Sequence, residues 1–348
     1  MSAIQRTGKL RAYLEFVAAV LYFFIVRAFA RNAAIAVQRD AWQPLVEQTL
    51  FAGLLILGYA AFGALFDRQP RSIAAQGLPL RSGWAGEFGI GAAIGWGAVV
   101  VCVLPMLLVG GIAVVITTQH GAWGWLVADA AYFLLLALGE EVAFRGYGFQ
   151  RFAVVVGPSG AAFGYALFYA IMRAVQPGST NASIAISVVF SFLLTTAYLR
   201  TRALWVSWGL NFAWKASQAL IFGLTVTGVS SHSPVIEGNP MGPFWLTGGG
   251  YGLDASWWAC VVLLVAFAVL YRATRELDFK HNAPVFVGAG IPVDIDAAAK
   301  RQHEAAMGHA EPAAPGLVQI LPAATPPAET RAASEPALER AADREDLP

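Results

Sequence analysis

The chain has 348 residues, of which 57% are hydrophobic and 13% charged, whereas soluble domains run at roughly 45–50% and 25%. Its 23 Lys and Arg balance 22 Asp and Glu. With no Gly-rich phosphate loop and no basic, aromatic groove, the composition excludes an ordinary cytosolic globule and argues against nucleic acid as a partner.

At about 20 apolar residues per crossing, the runs predict an all-α polytopic membrane protein, a bundle of about eight transmembrane helices. These fall at residues 12–30, 46–66, 89–117, 124–148, 159–175, 182–199, 203–226 and 255–272. Ala28-Phe29-Ala30 resembles a signal-peptidase site, but Glu15 and Arg27 interrupt the run before it, so the first helix is expected to stay. The short connection after Thr118 makes the third and fourth spans an antiparallel hairpin. Cys102 and Cys260 both sit in apolar runs and read as small buried hydrophobes.

Lys and Arg concentrate in cytoplasmic loops. With both termini inside, that side collects Arg6, Lys9, Arg11, Arg68, Arg71, Arg81, Arg151, Arg200, Arg202, Arg272, Arg275 and Lys280, while the outer loops keep Arg31 and Arg39. The long connection 227–254 then lies outside. Residues 1–280 form the predicted membrane domain. Residues 281–348 form an Ala/Pro-rich tail, with 13 Ala and 7 Pro among residues 305–348. It is expected to be largely disordered and cytoplasmic.

Ionisable residues inside spans are functional candidates by default. The fourth span carries Glu140, Glu141 and Arg145, the fifth Arg173, and the seventh Asn211, Lys215 and Gln218. Glu141 and Arg145, four apart, share a helix face, and so do Asn211 and Lys215. Adjacent carboxylates suit water activation, but the same set suits ion transport or a structural fastening between helices. On residue types alone the three stay open.

Glu140-Glu141-Val142-Ala143-Phe144-Arg145-Gly146 resembles the first motif of the CAAX prenyl protease and bacteriocin-processing (CPBP) family of intramembrane proteases. The likeness continues through Phe168–Pro177, Tyr198–Trp205 and Gly209–Gln218, and spans roughly residues 124–226. It implies an intramembrane endopeptidase in which Glu140 or Glu141 activates water, beside Arg145. Where the family places histidine, histidine and asparagine, this chain has Arg173, Asn211 and Lys215. All five histidines, His120, His232, His281, His303 and His309, fall outside the predicted spans.

A zinc site usually draws on imidazole or thiolate, and Arg cannot ligate a metal, so neither metal nor cofactor is expected. If the charges converge, Glu140 and Glu141 face Arg145, Arg173 and Lys215: an interhelical fastening, or an anion-accepting pocket with one spare positive charge. The leading expectation is a catalytically degenerate relative in a bacterial inner membrane. It would bind a membrane peptide, a lipid-modified protein or lipid in the former active-site cavity. The alternatives are an active endopeptidase, with Arg173, Asn211 or Lys215 stabilising the oxyanion, and a carrier or channel.

Overall fold

The computed structural model describes residues 3–37, 40–67, 72–117, 120–229, 235–282, 285–287 and 291–293. The helices in chain order are α1 (Ala3–Ile35), α2 (Gln43–Phe66), α3 (Ser72–Ala75), α4 (Trp84–Leu108), α5 (His120–Arg145), α6 (Tyr147–Val156), α7 (Pro158–Ala174), α8 (Asn181–Thr201), α9 (Trp205–Ala216), α10 (Phe244–Thr247), α11 (Trp257–Ala273) and α12 (Arg275–Asn282). It is an all-α membrane protein. Beyond Ala283 lies a separate unit, of which only a short antiparallel pair, β3 (Val285–Val287) with β4 (Ile291–Val293), is described. The rest of the expected tail lies outside the described residues, and His281 and Asn282 close α12 instead of opening that tail.

Among the described residues, four helices are long and apolar enough to cross a membrane: α1 from Gly8, α2, α4 and α8. A fifth results if α11 and α12, bent by 57°, count as one span. The expected count of about eight is therefore not confirmed on length and composition; α7 and α9 have 17 and 12 residues, fewer than the roughly 20 of a usual span. The predicted third span also ends early. Pro105 lies in the last turn of α4, and Ile112–Ile116 is a strand, β1, paired with β2 (Ile236–Pro240), Ile112 opposite Pro240. The predicted fourth span likewise breaks at Gly146, where a Cβ would strike the Val142 carbonyl, and α6 starts a new direction.

Lipid tails are as apolar as Leu, so helices in a membrane associate through close packing and polar contacts rather than through water exclusion. The crossing of α4 and α9 shows the first device. A Cβ on Gly91 would meet the Val206 carbonyl, one on Gly95 the Leu210 carbonyl, and one on Gly209 the Phe88 carbonyl. Only glycine permits this approach, and it fixes α9 laterally. Trp214 on α9 then packs with Cys102, Phe190 and Leu263 in the cluster joining α4, α8, α9 and α11.

One end of the bundle is tied by ion pairs. Arg151 reaches Glu15 (3.4 Å) and Asp67 (3.0 Å). Arg81 pairs with Glu87 at 2.6 Å and donates to the Thr201 carbonyl at 2.8 Å. Arg200 joins Asp278 of α12 at 3.0 Å. At the other end, Gly248, Gly249 and Gly252 all take positive φ (74°, 56° and 87°), folding the segment before α11 into tight turns. Ser256 caps α11 by accepting from the Ala259 N–H. These turns carry Asp254 into the interior.

Adding one methyl at Gly91 or Gly209 forces backbone apart and is expected to cost about 1–3 kcal/mol, read as a lowered melting temperature in detergent. Gly97→Ala, on the same helix but with open space around its Cα, should leave that temperature unchanged.

Candidate functional site

The structure brings Glu140, Glu141, Arg145, Asn211 and Lys215 into one contact network. Consecutive residues on a helix point about 100° apart, so the two glutamates of α5 take different partners. Glu141, 0% exposed, is turned inward: Oε1 accepts from Arg145 Nη1 at 3.1 Å and from Asn211 Nδ2 at 2.9 Å. Arg145 extends the bridge to α8, donating from Nε to Thr195 Oγ1 (3.3 Å) and from Nη2 to the Ser191 carbonyl (3.1 Å). The buried ion pair thus ties α5, α8 and α9 together.

Glu140 is turned the other way, onto the wall of a cavity of about 370 Å³. Its side chain is 20% exposed, and Oε2 accepts from Lys215 Nζ and, at 3.0 Å, from Asn211 Nδ2. Asn211 therefore donates to both carboxylates and sets the spacing between them. Its own Oδ1, together with Glu141 Oε2, has no partner among the described residues. Phe23, Phe51, Phe133 and Phe144 make much of the remaining wall.

Arg173 also lines this cavity, but it does not join the network. It lies at the last turn of α7, its Cζ 5.8 Å from the centroid of the Tyr169 ring, and among the described residues no carboxylate stands within ion-pair distance. Gln218 lies apart from the carboxylates and donates to the Trp214 carbonyl at 3.0 Å.

Two features of the site were not read from the sequence. Asp254 is buried and accepts from Trp214 Nε1 at 2.9 Å. It lines a second void of about 10 Å³ together with Arg173 and Lys215, so the positive charge left spare in the sequence count has an acidic neighbour. A window on hydropathy assigns Asp254 to an outer loop; only the run of glycines before it hints at a backbone able to turn inward. The other feature is Ser183, Ser187, Ser191 and Thr195, all at most 2% exposed. Their four-residue spacing puts them on one face of α8, a legible signal of a helix face that meets polar groups.

This arrangement restrains the chemistry of the pair. Glu141 has no access to the cavity. Glu140 does, but its Oε2 already accepts from an ammonium and an amide. No histidine of the described residues lines the cavity: His120 opens α5 and His281 lies on α12. The donor set does not fit a zinc ion, since both carboxylates are bonded to cationic or amide N–H groups. Among the described residues no group of three or more His, Cys, Asp or Glu is placed to hold a metal.

Glu141→Gln leaves Arg145 buried without its counter-charge and should cost about 3–5 kcal/mol, seen as loss of folded protein on size exclusion and a lower melting temperature. Glu140→Gln, at the cavity wall, should cost distinctly less. Pairing Glu141→Gln with Arg145→Met should recover part of the loss, as expected when one buried charge pair carries both effects.

Comparison with known proteins bears on the family. The family model for type II CAAX prenyl endopeptidases, Rce1-like, matches residues 121–217, just over a quarter of the chain. No curated protein and no solved structure matches it. The matched stretch contains Glu140, Glu141, Arg145, Arg173, Asn211 and Lys215, and it supports a CAAX protease-like membrane protein of the CPBP family.

Proposed function

We propose that the protein is a catalytically degenerate CAAX protease-like membrane protein that holds a membrane peptide, a lipid-modified protein or a lipid in the cavity beside Glu140. The observation that carries this reading is the pairing of Glu140 with Lys215. Hydrolysis needs a base that takes a proton from water as the amide is attacked, and here the only glutamate of the pair facing the cavity is held by an ammonium and an amide. The positions where the resemblance expects histidine are occupied by a guanidinium and by a carboxamide already donating to both acids. Loss of the hydrolytic groups leaves a cavity lined by both aromatic and charged side chains inside a bilayer protein, which is a binding site without a reaction.

The end of the bundle holding Arg11, Arg81, Arg151, Arg200 and Arg202 is read as cytoplasmic, by the bias of Lys and Arg toward that side. A bacterial inner membrane is the proposed location. An active endopeptidase is the second reading, favoured by Glu140 remaining on the cavity wall with N–H donors from Asn211 and Lys215 beside it, a set able to stabilise an oxyanion.

Purified wild type and Glu140→Ala, both shown to be folded, should be equally silent on prenylated and unmodified peptide pools. Cleavage by wild type that Glu140→Ala abolishes would establish the enzyme and overturn the proposal.

A further inference from the structure

A charged donor inside a membrane bundle is costly while it lacks an acceptor, and the cavity wall carries three cations: Lys215, Arg173 and, on the exposed side of α1, Arg27. The Lys215 ammonium has three N–H groups and directs one to Glu140. The Arg173 guanidinium has five, and none meets an acceptor among the described residues; Glu140 and Asp254 attract it only at longer range. Both side chains line the same cavity, next to the ring of Tyr169. Two other acids line the cavity: Asp129, 11 residues before Glu140 on α5, or about 16 Å at the helical rise, and Glu47 on α2.

The cavity has a lipid-side boundary as well. Phe23 and Arg27 of α1 line it, and α1 exposes Leu21, Phe24 and Ile25 along the same turns. We propose that the cavity binds the phosphodiester headgroup of an anionic phospholipid, with Arg173 and Lys215 on its phosphate oxygens and its first methylenes against the phenylalanine wall. This rests on the reading that the cavity binds without cutting. A guanidinium meets phosphate through two parallel N–H donors, where an ammonium offers a point charge. The volume, about 370 Å³, is at the small end of ligand cavities, about 300–1,000 Å³. That suits a headgroup better than a peptide with an isoprenoid.

The test is titration of the purified full-length chain with phosphatidylglycerol, followed by native mass spectrometry and thermal shift. Phosphatidylcholine, palmitate, inorganic phosphate and a farnesylated peptide with a free carboxylate run in parallel. Phosphatidylglycerol should bind at one site and raise the melting temperature. Arg173→Gln should weaken it at least about tenfold, the usual worth of a charged hydrogen bond. Arg173→Lys should weaken it less, and Arg31→Gln, an exposed charge on α1, not at all. A readout that leaves Arg173 intact is maleimide labelling of Met172→Cys on the cavity wall, which phosphatidylglycerol should slow.

Equal affinity in Arg173→Gln, or no protection of Met172→Cys, would overturn the proposal. So would inorganic phosphate or the farnesylated peptide matching phosphatidylglycerol in an Arg173-dependent way. Peptide cleavage by wild type would overturn the non-hydrolytic reading whatever the lipid does, and absent lipid binding in an inert protein would overturn the lipid alone.

Discussion

The buried guanidinium of Arg145 is the contact on which the rest of the interior depends. It is 1% exposed and reaches a carboxylate on its own helix and a hydroxyl and a carbonyl on α8. Such a charge is costly in an apolar bundle unless it is paired, and its partners hold α5 and α8 in one register. Asn211, donating to Glu141 and Glu140 together, adds α9 to the same register. Once Glu141 is bound inward, Glu140 has only the cavity to face.

Close packing and polar fastening divide the work. The glycines between α4 and α9 determine how near those two helices lie. The hydrogen bonds of Asn211 and Lys215 hold α9 to α5. Neither device replaces the other: without the glycines α9 stands too far from α4 to pack Trp214, and without the amide its polar face has no reason to meet α5.

Much of this was legible in the sequence, and the limits are physical. Long apolar runs made α1, α2, α4 and α8 readable, because a membrane helix must satisfy its own backbone and needs a set length of apolar residues. The four-residue spacings of Glu141 with Arg145 and of Asn211 with Lys215 put each pair on one helix face before any tertiary contact was known. Spacing says nothing of which helices adjoin, so Arg173 was grouped with the fastening although it stands apart from it. Hydropathy also merged Ile112–Ile116 with the helix before it, since a β-branched run is equally apolar in either state, and β2, its partner, lies more than 100 residues on. Asp254 escaped because a residue's depth depends on turns that no periodicity records.

The positions of the two glutamates along the chain have a consequence for how the protein enters the membrane. Glu141 meets Arg145 within a single helical turn, so its charge is matched as soon as α5 coils, wherever that helix then sits. Glu140 has its cation 75 residues later, on a helix synthesised only after α6, α7 and α8. Until α9 arrives, α5 carries an unmatched acid into its surroundings, which the insertion machinery must shelter or which must take up a proton. The contact of Glu140 with Lys215 thus discharges a liability incurred early in biogenesis.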